Sequence, residues 1–324
     1  MAESVAFDAV VIGRNEERRL ASALRAARTH ARHVVYVDSG SQDKSVEQAR
    51  SLGVAVLELD PQRPFSAARA RNEGFAALGP DRAPFVHFID ADCLLVPGWL
   101  ERALSFLDAN PQAGLVIGRY SEEAPEASVY NWLTDWEWDK PEGPEAAGIG
   151  TFMTRAEAFA QTGGFRDSMI AAEDDEMFLR MRGLGWQTWS IAAPMCTHDA
   201  GLDRFRPWWR RMIRAGHSFA ELGALHPGKA AAARMRAVLW GGLMPFLVVA
   251  GAVLWWPLAM VVAALTLAAI TRQGLRFARM GAQPTRAAAA AGLVMLSKFA
   301  NLYGMGWYWL RRLRRSDAQI IEYK

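Results

Sequence analysis

Hydrophobic and polar positions divide the chain into two unlike parts. Over the first two hundred residues, short apolar runs alternate with segments whose apolar positions recur at helical spacing. The pattern predicts strands at Ala6–Ile12, His33–Val37, Val54–Leu59, Phe85–Ile89 and Leu115–Gly118, with a further strand-like run at Thr188–Ala193. Helices are predicted at Glu16–Ala27, Lys44–Leu52, Ser66–Leu78 and Pro97–Ala109, and from Glu173 to near Gly183. Such alternation specifies an α/β fold, a mostly parallel sheet covered by helices. In open sheets of this kind, ligands bind beyond the carboxyl ends of the strands. Asp38, Asp90 and Asp92 all fall at such ends.

The second part carries no strand pattern. Residues 237–271 hold no charged side chain, are rich in Ala, Val and Leu, and carry prolines at 245 and 257. One membrane crossing takes about 20 apolar residues. This run is long for one crossing and short for two, so a helical hairpin broken near Trp255-Trp256-Pro257 is expected, tightly turned or partly penetrating. Residues 287–310 form a second apolar stretch, and Lys298 and Gly304 lead us to expect a second hairpin or an interfacial helix there. The stretch ends in Trp307-Tyr308-Trp309 and then Arg311-Arg312-Leu313-Arg314-Arg315, the order of an interface on the cytoplasmic side. A soluble helical domain with an Ala-rich core is the alternative, and the length of the charge-free run argues against it.

Charge sharpens this picture. The net charge of +3 is mild but uneven, with eight Lys/Arg against two Asp/Glu from Gly201 to Arg236. The segment Arg204-Phe205-Arg206-Pro207-Trp208-Trp209-Arg210-Arg211 interleaves cations with aromatics, which suits a helix lying in a membrane interface. Nucleic acid is the other partner of such a pattern. The adjoining apolar segments favour lipid, and no nucleic acid is expected. The two cysteines, Cys93 and Cys196, imply no disulfide framework and have no metal-ligand spacing. The N-terminus lacks the pattern of a signal peptide, which leaves the first domain in the cytosol.

The turn after the first strand reads Ile12-Gly13-Arg14-Asn15-Glu16-Glu17, without the Gly-x-Gly-x-x-Gly of a nicotinamide dehydrogenase, and no P-loop is present. Asp90-Ala91-Asp92 ends a strand with two carboxylates at i, i+2, which face the same way from extended backbone. Hard divalent cations are held by one or two carboxylates together with substrate phosphates. A solvated acidic turn is the competing reading. In Glu173-Asp174-Asp175-Glu176, acids suit the positive end of a helix. Asp174 also shares a face with Phe178 and Met181, whereas Glu176 faces Arg180 as an ordinary exposed pair. A carboxylate at the edge of a buried face among like charges has a raised pKa, which suits a general base.

Together these pieces resemble the inverting family 2 glycosyltransferases of GT-A fold. Val10-Val11-Ile12-Gly13-Arg14-Asn15-Glu16-Glu17 is similar to the family's first strand and nucleotide loop. Val37-Asp38-Ser39-Gly40-Ser41-Gln42-Asp43 resembles its D-x-S-x-D turn, and Ala70-Arg71-Asn72-Glu73-Gly74 its A-R-N-x-G helix. Asp90-Ala91-Asp92 resembles its D-x-D motif, and Gly163-Gly164-Phe165 with Glu173-Asp174 its G-G-F and E-D elements. The six motifs follow the family's order over about residues 5–220.

The resemblance implies a nucleotide-sugar donor, a UDP-sugar by the family's habit, and Mg²⁺ or Mn²⁺. It implies Asn15, Glu16 and Asp38 at the nucleoside, Arg71 at the diphosphate, Asp90 at the ribose or metal, Asp92 on the metal and Asp174 as base. Each has a competitor. Asp38 caps its own turn, Glu16 is a first-turn acid, Arg69 replaces Arg71, and Glu173 or Asp175 replaces Asp174. His198, in Thr197-His198-Asp199, is either a further metal ligand or structural. The aromatic run Tyr130–Trp138 lines an acceptor site, packs a core or touches membrane.

The expected division is a GT-A catalytic domain at 1–200, a basic–aromatic interfacial segment at 201–236 and a membrane-associated helical region at 237–324. The expected place is the inner, cytoplasmic membrane, with the catalytic domain in the cytoplasm. The expected partners are a nucleotide sugar, membrane lipid and a lipid-linked or glycan acceptor. Transfer to polyprenyl phosphate and a catalytically silent scaffold are the alternatives.

Overall fold

The computed structural model describes residues 6–144 and 148–314. The chain begins β1 (Phe7–Gly13), α1 (Glu17–His30), β2 (Val34–Asp38), α2 (Ser45–Ser51), β3 (Ala55–Glu58), α3 (Ala67–Ala77), β4 (Phe85–Asp90), β5 (Cys93–Leu95) and α4 (Trp99–Ala109). There follow β6 (Ala113–Glu122), α5 (Val129–Trp138), β7 (Gly143–Pro144), β8 (Phe152–Arg155), α6 (Ala156–Thr162), α7 (Glu173–Gly183) and β9 (Gln187–His198). Then come α8 (Phe205–Leu225), α9 (Ala231–Val238), a π-helical turn (Leu239–Leu243), α10 (Met244–Leu254), α11 (Trp256–Arg279) and α12 (Pro284–Arg314).

Two units emerge. One comprises residues 1–124 and 135–200, the other residues 125–134 and 201–324. The first is built on a sheet of order β3-β2-β1-β4-β8-β6-β9-β5, with β7 paired to β9. The block β3-β2-β1-β4 is wholly parallel. Strand β8 enters antiparallel between β4 and β6, and β6 and β9 are parallel to each other. The predicted strands and helices of this unit are all present, with ends moved by a few residues. Strands β5, β7 and β8, of three, two and four residues, are too short to show a period in sequence.

Burial explains why β1 and β4 read as continuous apolar runs. Val10, Val11, Phe88 and Ile89 are fully enclosed, with helices on both faces of the parallel block. Gly74 lets α3 lie flat on this sheet, because a Cβ there would overlap Val10 and come 2.8 Å from Val37 Cγ2. Phe88 also packs on Phe152 and Phe165, at centroid distances of 5.1 and 5.9 Å. The aromatic core thus lies directly behind the carboxyl ends of the central strands.

In the helical unit the predicted break is present. Helix α10 ends at Leu254, Trp255 takes φ −163° and ψ 89°, and α11 restarts at Trp256 with Pro257 in its first turn. The arms differ from expectation in length. The apolar helices Ala231–Leu254 and Trp256–Arg279 each have 24 residues, long and apolar enough to cross a membrane. Both helices extend beyond the charge-free run 237–271 through their flanking arginines, and the turn consumes one residue. Gly251 sits where a Cβ would lie 2.6 Å from Ala259 N, so the arms approach closely at the turn.

Of the two forms expected for residues 287–310, a second hairpin or an interfacial helix, the described residues form a single helix and no hairpin. Helix α12 runs unbroken for 31 residues through Lys298 and Gly304. Its glycine is a contact rather than a break, because a Cβ at Gly304 would overlap the Ile213 carbonyl of α8. Gly216 is matched in the same way to the Asn301 backbone, and Asn301 Nδ2 donates to Met212 O at 2.7 Å. Small residues bring helix backbones together, as in membrane bundles. Arg315 of the C-terminal basic cluster lies outside the described residues.

Candidate active site

The site begins where three parallel strands stop. Gly13 of β1 pairs with Asp38 of β2, and Ile12 pairs with Asp90 of β4, so the two carboxylates flank the end of β1. Gly13 keeps that end narrow, since a Cβ would come 2.7 Å from Ala91 Cβ.

Asp38 is 2 % exposed and turns back on its own loop. Tyr36 Oη donates to it at 2.9 Å, Gly40 N at 2.9 Å, Ser41 N at 2.8 Å and Ser41 Oγ at 2.5 Å. A carboxylate offers about four acceptor positions, and the turn uses them. The capping reading of Asp38 is therefore what the geometry displays, with Ser41 as its main partner. Burial and the Asp38 charge raise the Tyr36 pKa far above its ordinary value, so the phenol stays a donor. The β1–α1 loop locks onto this turn. Asn15 N donates to Ser41 Oγ at 2.9 Å and Asn15 Oδ1 accepts from Gln42 N at 2.8 Å. The Glu16 backbone N–H donates to Ser45 Oγ at 3.0 Å. Asn15 holds φ 58°, a left-handed conformation uncommon outside glycine and frequent at functional loops.

Arg71 and Arg69 are separated by their partners. Arg69 Nη1 donates to the carbonyls of Asp60, Arg63 and Pro64, at 3.0, 3.0 and 3.3 Å, and so holds a loop. Arg71 is 2 % exposed and donates to Asp90 Oδ1 at 2.6 Å and to Glu173 Oε1 at 2.9 Å. The Phe165 ring lies against it, with its centroid 5.4 Å from Cζ. Burial alone would lower the Arg71 pKa, but Asp90, Glu173 and Asp174 together outweigh it and raise it above the ordinary guanidinium range. The expected contact with diphosphate is not what this geometry displays, since the guanidinium is enclosed and two carboxylates already hold it.

Helix α7 opens at Ala172, which holds φ 57°, and its first turn carries Glu173, Asp174 and Asp175. Glu173 is consumed by Arg71. Among the described residues, the Asp174 carboxylate accepts only the backbone N–H of Asp175, at 2.8 Å. Burial, then the charges of Glu173 and Asp175, push its pKa up to about 8, against the lowering effect of Arg71. Burial also raises Asp175, which accepts from Gly148 N at 2.6 Å. Glu176 corrects the expectation of an exposed pair. It does pair with Arg180, at 2.7 Å, but is fully buried and also takes Arg166 Nε at 2.7 Å. Two cations surround the buried carboxylate, which periodicity alone does not foretell.

His198 and Asp92 come together. Strand β5 runs antiparallel to β9, with Cys93 opposite His198, and His198 Nε2 lies 2.8 Å from Asp92 Oδ2. Tyr120 and Trp138 flank the imidazole at 5.5 and 5.3 Å between centroids. The carboxylate suits Mg²⁺ or Mn²⁺, and the imidazole suits a transition metal better than Mg²⁺. Among the described residues no group of three or more His, Cys, Asp or Glu could hold an ion. A metal held by this pair would take its remaining ligands from substrate oxygens and water. The aromatic run 130–138 divides: Tyr130 and Trp132 pack within the helical unit on Trp208 and Phe277, and Trp138 lies beside His198.

Sequence reasoning did not single out the segment Gly148-Ile149-Gly150-Thr151. Thr151 Oγ1 accepts from Asp90 N at 3.1 Å. A Cβ at Gly150 would overlap Arg71 Nη2 and Asp90 Oδ2, and one at Gly148 would come 2.7 Å from Asp174 Cγ. Its glycine spacing was the available signal, but glycines are common in loops. Asn72 also proves structural to the site. It clamps the 163–167 turn through Phe165 N, Phe165 O and Asp167 Oδ1, each at 2.8 Å.

Residues 8–161 match the model of the family described as Glycosyl transferase family 2. Among curated proteins none matches the chain. A mannosyltransferase from Pyrobaculum calidifontis, PcManGT, solved in complex with GDP-Man and Mn²⁺, is similar with a TM-score of 0.55 at 18% identity, over 96% of this chain and 88% of that one. Glucosyl-3-phosphoglycerate synthase from Mycobacterium tuberculosis, in complex with Mn²⁺, UDP and phosphoglyceric acid, gives 0.49 at 19% identity over 68% and 78%. Residues 8–161 thus resemble a family 2 glycosyltransferase domain, and the similarity to PcManGT shows the GT-A fold.

Proposed function

We propose that this protein is a membrane-associated, inverting glycosyltransferase that moves a sugar from a nucleoside diphosphate to a hydroxyl of a lipid-linked or glycan acceptor. The carrying observation is the double ion pair of Arg71, which joins Asp90 at the end of β4 to Glu173 beside Asp174. Donor-side and acceptor-side carboxylates therefore share one face of the sheet unit. Binding of GDP-Man and Mn²⁺ by PcManGT supports a sugar nucleotide and a divalent cation as ligands here. Because Asp38 is spent on its own turn, the donor base is left to the Asn15–Glu16 loop, and both UDP- and GDP-sugars belong in the test.

Asp92 and His198 would hold the cation. When bound, it supplies Lewis-acid stabilisation of the charge that develops on the departing nucleotide. Asp174 takes the proton of the attacking hydroxyl at its carboxylate. With its pKa raised to about 8, it has the proton affinity a general base needs near neutral pH. In-line attack opposite the leaving group inverts the anomeric centre. Trp138 packs edge-on beside His198. The α10–α11 hairpin supports the membrane reading, with Phe246, Val249, Val253, Met260 and Leu267 all exposed along it. Arginines at its base support a cytoplasmic location for that base by the positive-inside rule. Envelope or exopolysaccharide assembly is the corresponding place.

The test is release of nucleoside diphosphate from a panel of UDP- and GDP-sugars by the full chain in bilayers, with Mg²⁺ or Mn²⁺. Release from one donor, stopped by chelator and by Asp92→Ala, is expected. No release from any donor overturns the transferase reading, and full release in chelator overturns the metal.

A further inference from the structure

The ion pairs of Arg71 make it a link between the two halves of the site. It lies in α3, between a carboxylate at the end of β4 and one in the first turn of α7, and is itself enclosed. Three features fix it there. Phe165 covers one side of the guanidinium, and Asn72 clamps the turn that carries Phe165. Gly150 passes so close over Nη2 and Asp90 Oδ2 that no side chain fits. The same segment, two residues earlier, crosses Asp174 at Gly148. A cation placed this way is screened from a diphosphate by its own carboxylates and by the strap above it. Its field, in a poorly solvated site, falls on the neighbouring base.

We propose that Arg71 is a positioning residue, which ties the donor-side Asp90 to Glu173 and acts on the reaction through Asp174. It rests on the transferase reading only in naming Asp174 the base. The groups around Asp174 are Glu173 and Asp175 on its own helix, Arg71 from α3 and, through Arg71, Asp90 from β4. The strap presents Gly148 N–H to Asp175, and Lys140 and Arg182 act on Asp175. Burial raises the Asp174 pKa first and Glu173 second, and Arg71 lowers it. Removing the cation must then raise the proton affinity of Asp174, and removing Glu173 must lower it. A residue that serves only to hold the fold does not produce opposite shifts.

Infrared difference titration of the full chain reads this without substrate. The carbonyl stretch of the protonated carboxyl is assigned to Asp174 by its loss in Asp174→Asn and its retention in Asp175→Asn. Expected is an upward shift of its midpoint in Arg71→Gln by on the order of one to three pH units, the usual effect of one nearby charge. Arg71→Lys restores most of it, and Glu173→Gln shifts the midpoint downward. UDP and GDP binding should change by less than about threefold in Arg71→Lys, well under the tenfold that ~1.4 kcal/mol represents. An unmoved midpoint in Glu173→Gln overturns the link even where Arg71→Gln does not fold. Loss of UDP and GDP binding in Arg71→Lys with an unmoved midpoint returns Arg71 to the diphosphate. Failure of the donor screen with these shifts present sinks the transferase reading and leaves the link intact.

Discussion

His198 Nε2 lies 2.8 Å from Asp92 Oδ2, although 106 positions separate the two residues in the chain. The antiparallel pairing of β5 with β9 closes that distance, setting Cys93 against His198 and so bringing the imidazole to the residue before Cys93. If the pair holds the cation, His198→Ala should weaken Mn²⁺ binding by at least the 10–100-fold that loss of even an outer-sphere partner typically causes. Asp92→Ala should weaken it further. Mn²⁺ titration with UDP present measures both, and unchanged affinity in His198→Ala assigns the histidine to packing with Tyr120 and Trp138.

Loss of the base should separate binding from turnover. Asp174→Asn is expected to keep donor KM near wild type and to lower kcat on the order of 10²-fold or more. Steady-state kinetics on the donor identified by the screen decides this. A crippled Asp175→Asn beside a normal Asp174→Asn would move the base by one residue.

The same carboxylate predicts a pH dependence of stability. Burial, with Glu173 and Asp175, puts the folded-state pKa of Asp174 at about 8, against roughly 3.9 in an unfolded chain. The folded protein holds a proton that the unfolded chain has released. That contribution is full below about pH 4 and is lost as pH rises through 8. Asp174→Asn removes it, so the Tm of the variant should fall less than that of wild type between about pH 5 and about pH 8.5. Parallel Tm curves would show that Asp174 is ionised throughout.

Two glycines should fail in different ways. Gly74→Ala forces a methyl into Val10 and Val37 at the α3–sheet contact and should cost about 1–3 kcal/mol of stability, as overpacking typically does. Gly150→Ala forces one into the Arg71–Asp90 pair. It should reduce kcat with a smaller change in Tm, since the strap can lift where the sheet cannot. Thermal melts and kinetics on the two variants check the contrast, and a Gly150→Ala enzyme of normal kcat would remove the strap from the site.

The hairpin predicts its own topology. At 1.5 Å per residue, arms of 24 residues are about 36 Å long, enough to cross a hydrocarbon layer of roughly 30 Å. Trp255 ends both arms, and tryptophans favour the membrane–water interface, which places this turn at the far interface. A cysteine at Trp255 should therefore label from outside an intact cell, and one at Met280 should not. Cys93 and Cys196 are both buried, so background is low. Labelling of position 280 from outside inverts the topology, and silence at 255 makes the hairpin re-entrant.

Local signals carried much of this. Periodicity is written into successive residues, so it marked β1, β2 and β4 with the helices between them, and the charge-free run 237–271 with its break at Trp255-Trp256-Pro257. The acids at strand ends were legible because a strand ends where apolar alternation ends. Tertiary structure decided what those residues meet. Asp38 turned to its own loop because Gly40 and Ser41 offer donors within three residues. Arg71 and Arg69, two positions apart on one helix, went to an acidic cluster and to a loop because a two-residue step turns a helix by more than half a circle. Gly304 became a contact instead of a break because α8 lay against it. Pairings such as Asp92 with His198 and Arg71 with Glu173 join residues over a hundred positions apart. No local pattern encodes a partner at that distance, and only the packing of the sheet and its helices selects it.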